Sequence, residues 1–134
     1  MAKRTPYRLG RRSLNELKGV DPRLVVCTSG AILLTLQDFM VFDGRRTIEE
    51  QRDYVSRGTS WTMNSKHLTG HAVDLVPYVD GKLSWDSMDA FKEIARCMRI
   101  IGRHHRIKLL WGANVKYGGD WKERNDAAHW YVED

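Results

Sequence analysis

No run of about 18 apolar residues occurs in this chain, so no membrane-spanning helix and no stable membrane insertion is expected. The basic start, residues 1–7, has no apolar segment behind it, so no secretory signal is read there. The protein is expected to be held in the cytoplasm unless another protein exports it. Cysteine is scarce: Cys27 and Cys97 stand alone, with no CxxC pair. Each lies inside an apolar helical pattern, which predicts two buried thiols rather than a disulfide, a nucleophile or a metal ligand. There is no repeat, no low-complexity segment and no inter-domain linker, and 134 residues suit one compact domain. No nucleic-acid-binding motif is present, which argues against nucleic acid as a partner.

What is present is an ordinary hydrophobic fraction of 42% and a net charge of +5. A basic surface attracts polyanions, and both nucleic acid and an anionic cell-wall polymer qualify. A basic protein without such a partner fits equally well. The densest basic run, Arg103-His104-His105-Arg106, follows a helical pattern, where positive charge suits the C-terminal end of the dipole.

Local signals set the order of elements. Ser13 and Glu16 match a capping box, predicting a short helix to about Lys18 that stops at Gly19. Asp21-Pro22 offers an N-cap followed by proline at the first helical position. That helix is expected to reach Leu36, with Val25, Ile32 and Leu36 on its apolar face. Residues 39–42 read as a buried strand ended by Asp43-Gly44. Thr47 with Glu50 is a second capping box, and Gly58 ends its helix. Residues 59–69 read as a loop. Residues 72–77 read as a strand, with Val73, Leu75 and Pro77 on one face and Ala72, Asp74 and Val76 on the other. Asp80-Gly81 signals a tight turn. Ser84 or Asp86 is expected to cap a long amphipathic helix carrying Phe91, Ile94, Ala95, Met98 and Ile101. Residues 107–111 and 129–132 are the last strands, separated by a polar loop. This order predicts an α+β fold: a single domain with a small, mostly antiparallel sheet and helices packed on it.

The chemistry concentrates in two stretches, Ser65 to Asp74 and Asp126 to Trp130. A catalytic zinc takes about three nitrogen or oxygen ligands and keeps one position open. His67, Asp74 and His129 meet that demand, and Gly70 lets the backbone turn between the first two. The spacing is not the helical HExxH arrangement. His71 is the competing ligand and reads better as a solvent-facing histidine. Asp126, three residues before His129, is the candidate general base, with Asp120 and Glu123 as alternatives. Arg46, or else Arg45, is the candidate donor to an oxyanion, although either could pair with Glu49 or Glu50. Ser65 and Gln51 are candidate substrate-binding residues; holding the loop and facing solvent, respectively, are their plainer roles. Trp111, Trp121 and Trp130 could line a cleft or simply pack.

These residues resemble the D-Ala-D-Ala carboxypeptidase and L-alanyl-D-glutamate peptidase family of zinc enzymes. Within it, the chain is most similar to single-domain bacteriophage endolysins that cut the L-Ala-D-Glu bond of peptidoglycan. The similarity runs from about Ser13 to Val132. It takes in the segment from Leu17 to Pro22, Asp38 to Val41, Gly44 to Thr47, Gln51, Ser65 to Asp74, Trp111-Gly112 and Asp126 to Trp130. The resemblance implies His67, Asp74 and His129 as zinc ligands, Asp126 as catalytic acid or base, and Arg46 as the arginine at the reacting carbonyl. It further implies a peptidoglycan substrate and host cell lysis. The whole of residues 1–134 would be the catalytic domain, a monomer with no separate wall-binding domain. The enzyme would wait in the host cytoplasm for release by a holin. A D-Ala-D-Ala carboxypeptidase or dipeptidase of the same family is the alternative, and a zinc-holding module without catalysis is another. One departure stands out: members often carry Trp-Gly-Gly-x-Trp before the last ligand, whereas here Trp111-Gly112-Ala113 is followed by a longer segment.

Overall fold

A computed structural model of the chain describes residues 5–58, 65–114 and 126–134. Its elements are α1 (Arg11–Glu16), α2 (Pro22–Leu34), β1 (Phe39–Asp43), α3 (Ile48–Ser56), a 3-10 turn (Lys66–Thr69), β2 (Ala72–Val79), β3 (Lys82–Leu83), α4 (Met88–His104), β4 (Leu110–Trp111), a second 3-10 turn (Gly112–Asn114) and β5 (His129–Tyr131). The strands form an open sheet of order β1-β2-β5-β4, with β3 paired to the far end of β2. Every pairing is antiparallel. The fold is α+β, as the element order predicts.

Alternation along β2 decides what lies on each side of the sheet. Val73 and Leu75 point into the main core with Phe39, Val41, Trp130 and the buried faces of α2 and α4. Asp74 therefore points to the other side, between two fully buried core residues. A smaller cluster gathers Val76, Phe91, Ala127 and Ala128. Cys27 and Cys97 are free and buried, as expected.

Several local signals fold as read. Asp21 caps α2 by accepting from the Arg23 N–H, and Pro22 stands at its start. Thr47 and Glu50 form both halves of a capping box on α3. Asp80-Gly81 turns β2 into β3.

Others are corrected. Ser13 does not cap α1; Gly10 holds that position, and Ser13 is buried within the helix. Its Oγ accepts instead from the Val41 N–H at 2.9 Å, which ties α1 to the free edge of β1. Helix α2 stops at Leu34, and Leu36 is 66% exposed. Its buried face is Leu24, Cys27, Thr28, Ala31 and Ile32, one step round from the expected stripe. Neither Ser84 nor Asp86 caps α4; Ser87 occupies the cap, and the Ser84 Oγ accepts from its N–H. Of residues 107–111, Leu110 and Trp111 pair as strand.

Candidate metal centre

The site grows from one row across the sheet. Asp74 on β2 stands opposite His129 on β5 and Asp43 on β1. Directly opposed residues of antiparallel strands present their side chains on the same face. Asp43 reaches that row through a bulge. Val41 opposes Leu75, and the next pair is Asp43 with Asp74, so β1 advances two residues while β2 advances one. The bulge turns Asp43 from the core side to the Asp74 side, the re-aiming that bulges perform beside functional sites.

His67 arrives from the 3-10 turn just before β2. The Ser65 Oγ accepts from the His67 N–H at 3.2 Å and starts the turn. Gly70 ends it at φ 79°, and a Cβ there would run into the Gly19 carbonyl. Only glycine meets both conditions without strain. The turn is pinned from outside by Arg46 N–H to the His67 carbonyl at 2.9 Å and Asp21 N–H to the Gly70 carbonyl at 2.8 Å.

The His67 ring is 2% exposed. Its Nδ1 lies 2.6 Å from the Gly44 carbonyl oxygen, which can only accept, so Nδ1 carries the proton. In the neutral ring Nε2 is then left with its lone pair. That nitrogen is buried, has no hydrogen-bond partner among the described residues, and faces Asp74 Oδ1 at 3.3 Å. His129 Nδ1 approaches the same oxygen at 3.1 Å. One ligand atom from each of His67, Asp74 and His129 lies within 4.8 Å of the others.

A buried nitrogen with a lone pair and no donor is costly, at about 1–3 kcal/mol. A cation between the three side chains would remove that cost. The spacing suits one: bonds of about 2.0–2.1 Å to a tetrahedral zinc give ligand–ligand edges of roughly 3.3–3.4 Å. Two nitrogens and a carboxylate oxygen are also the donor set that zinc accepts.

The charges are arranged round Asp74. Burial alone would raise its carboxyl, but His67 and His129 outweigh burial and hold it well below the usual carboxylate range. For His67, burial disfavours the charged ring, yet Asp74 prevails and its pKa is raised. Burial pushes Asp43 up, against the pull of Arg46 and His67. Asp126 keeps a solvent-accessible face, but the protein packed round it raises its carboxyl, and the Asp74 charge adds to that. His129, His67 and Arg46 pull Asp126 the other way, so it lies within the field of the cluster.

Arg46 completes the site. Its Nε donates to Asp43 Oδ2 at 2.6 Å and its Nη1 to Gln51 Oε1 at 2.9 Å. The Tyr54 ring lies 4.4 Å from the guanidinium carbon. Nη2 faces Asp74 Oδ2 at 3.6 Å.

The structure therefore brings together His67, Asp74, His129, Arg46 and Asp126. Arg45 is elsewhere, with its side chain packed against Gly19. Gln51 is fully buried rather than solvent-facing, and both it and Ser65 bond to the machinery: Gln51 to Arg46, Ser65 to the His67 backbone. His71 belongs to a separate group with Asp21 and Asp134. Arg23 already supplies that group with a cation, at 3.0 Å from Asp21 and 3.3 Å from Asp134. Trp130 is a core residue at 1% exposure, stacked on Trp111, whose Nε1 donates to the Ala127 carbonyl at 2.7 Å. Asp120, Trp121 and Glu123 lie outside the described residues.

In the sequence, Asp43, Tyr54 and Gly112 carry no signal of a role at the site. Asp43 reads there as a strand terminus, because a bulge leaves no periodic trace. Tyr54 lies two turns along α3 from Arg46, a relation visible only once the Thr47 cap fixes the helix. Gly112 permits close approach: a Cβ there would strike the Asp126 carbonyl and press on His129 Cβ at 3.0 Å.

Fold and site together define a small α+β domain with a His-Asp-His cluster, His67 buried and Asp74 and His129 half-buried, whose donors suit one divalent cation. The family is given by comparison with known proteins. The chain belongs to the phage L-alanyl-D-glutamate peptidase family, whose model matches residues 5–131. It is 32% identical over 120 residues to the L-alanyl-D-glutamate peptidase of Escherichia phage T5, covering 87% of this chain and 88% of that one. It also resembles the crystal structure of the Serratia marcescens L-Ala D-Glu endopeptidase ChiX. That match has a TM-score of 0.78 and 36% identity, over 94% of this chain and 90% of the other.

Proposed function

We propose that the protein is a zinc-dependent endopeptidase that hydrolyses the L-alanyl-D-glutamate bond of peptidoglycan stem peptides and so lyses the host cell. The observation that carries this reading is the buried, unpartnered His67 Nε2, converging with His129 Nδ1 on Asp74 Oδ1. Membership of a peptidase family supplies the reaction class.

His67, Asp74 and His129 would hold the ion. Zinc bound there supplies Lewis acidity, which makes water nucleophilic near neutral pH. Asp126 takes the proton from the attacking water and later delivers it to the leaving amine. The water oxygen bonds to the L-Ala carbonyl carbon, and the C–N bond to D-Glu breaks. Arg46 Nη2 donates to the carbonyl oxygen as negative charge develops on it. His67 is kept in its ligating tautomer by the Gly44 carbonyl. Ser65 and Gln51 act by holding His67 and Arg46. A net charge of +5 favours approach to an anionic wall.

Residues 1–134 would act as one catalytic unit and as a monomer. Storage in the host cytoplasm and release through a holin belong to the same proposal. No helix among the described residues is long and apolar enough to cross a membrane.

The test is digestion of purified peptidoglycan with and without a chelator, with the released muropeptides analysed by mass spectrometry. New amino termini on D-Glu that vanish on chelation and return with zinc are expected. Cleavage at D-Ala-D-Ala would make the enzyme a carboxypeptidase. Bound zinc with no cleavage at all would make it a binding module.

A further inference from the structure

Asp43 is a buried carboxylate that the proposed chemistry leaves unused. It is 5% exposed, it sits in the site row only because β1 bulges, and it makes the shortest ion pair of the cluster, 2.6 Å to Arg46 Nε. Its partner has three donor nitrogens. Asp43 takes Nε, Gln51 takes Nη1 at 2.9 Å, and Tyr54 lies against the flat face at 4.4 Å. What remains is Nη2. It points toward Asp74 Oδ2 but stops at 3.6 Å, within ion-pair range and beyond a good hydrogen bond.

A guanidinium is planar, so fixing two of its nitrogens and one face fixes the third nitrogen as well. Without Asp43, the nearest buried negative charge for Arg46 is Asp74. A full bidentate pair there would turn Nη2 from the reacting carbonyl and engage the oxygens that face the histidines. Asp43 thus satisfies Arg46 from behind and leaves Asp74 free.

We propose that Asp43 is a positioning residue for the reaction: with Gln51 and Tyr54 it clamps the Arg46 guanidinium so that Nη2 alone faces the scissile carbonyl. The inference rests on the catalytic role proposed for Arg46. It accounts for the bulge, which is otherwise an unexplained irregularity, and for a fully buried glutamine on a helix whose other residues, Gln51 apart, are exposed or half-exposed.

A double-mutant cycle tests it, with kcat and KM measured on a soluble muropeptide and zinc content measured for each variant. Arg46→Ala should lower kcat by about 100-fold or more, as for loss of an oxyanion donor. Asp43→Asn keeps an oxygen but loses the charge, and should lower kcat about 10-fold with KM within about 2-fold and zinc retained. In the Arg46→Ala background, Asp43→Asn should cost less than about 2-fold more. Asp43→Glu should restore part of the loss. Independent, multiplicative effects, or loss of zinc from Asp43→Asn, would overturn the clamp. An Arg46→Ala variant with full kcat would instead refute the role of Arg46, and a thermal melt of each variant separates both results from unfolding.

Discussion

At Asp126, the proposed acid and base, two requirements meet. A general base must be ionised to accept a proton, and a general acid must then hold that proton long enough to deliver it. In the metal-free protein, the surrounding protein and the Asp74 charge move its carboxyl above the ordinary value of 3.8, and a cation held by Asp74 would oppose that rise. The base form is the deprotonated one, so activity should climb as pH rises through the pKa that Asp126 has in the zinc-loaded enzyme. Asp126→Asn should lower kcat by about 10²–10⁴-fold. Zinc should remain bound, because the substitution removes none of the three proposed ligands, and the acid limb of kcat/KM against pH that Asp126 sets should disappear. An unchanged limb with near-full activity would remove Asp126 from the mechanism. Asp43, in the same row as two of the proposed ligands, shows why chemistry of this kind needs neighbours. A buried carboxylate is tolerable where a guanidinium meets it at 2.6 Å, and the same contact aims the guanidinium.

Among elements, the pair α2 and α4 carries the core face of the sheet, and a single side chain ties their ends. Glu93 on α4 accepts from the Leu36 N–H just past α2 at 2.8 Å, and from Arg96 on its own helix at 2.7 and 2.9 Å. Arg96 first, and the Leu36 N–H with it, pull the Glu93 carboxyl from 4.5 to about 2 against its partial burial. A depressed folded pKa gives stability that is present above the unfolded value and lost as pH falls through the folded one. The window here is from about 4.5 down to about 2. Glu93→Ala should destabilise the domain by about 1 kcal/mol near neutral pH. Below the lower limit the variant and the parent should converge, which thermal melts across this range would register. A constant difference down to the lowest pH would mean that packing, not charge, is lost. Sequence is a good guide to elements of this sort. The stripe Phe91, Ile94, Ala95, Met98 is helical at sight, and so are the Asp21-Pro22 and Thr47/Glu50 starts, because each rests on contacts within a few residues. The misread positions depend on distant partners. Ser13 looks like a cap, but its hydroxyl is claimed by Val41 across a gap that no local pattern reports. Likewise His67, Asp74 and His129 can be picked out by type and order, while the bulge that brings Asp43 beside them cannot.

For the whole molecule, the proposed metal cluster links segments far apart in the chain: a turn at His67, a central strand at Asp74 and the strand at His129. No such cluster pre-exists in an unfolded chain, so cation binding is also folding free energy. With zinc at about 100 times its dissociation constant, the gain is about 2.7 kcal/mol, or roughly 10 °C in melting temperature for a domain of this size. Protons compete for the same site. In the metal-free protein Asp74 raises the His67 pKa above 6.5. A raised folded pKa means that the protonated ring stabilises the metal-free fold, fully below the unfolded value and no longer once pH passes the folded one. Acid therefore strengthens the metal-free protein at this group while it would displace a zinc ion from the same nitrogen. The two effects act in one direction: the melting-temperature gap between zinc-loaded and chelated protein should be wide at pH 8 and should shrink steadily toward pH 5. The measurement is a pair of calorimetric scans at each pH, with ion content checked after each. A gap independent of pH would mean that the stabilising cation does not sit on His67. A gap that widens in acid would reverse the sign of the linkage and rule out His67, Asp74 and His129 as the ligand set.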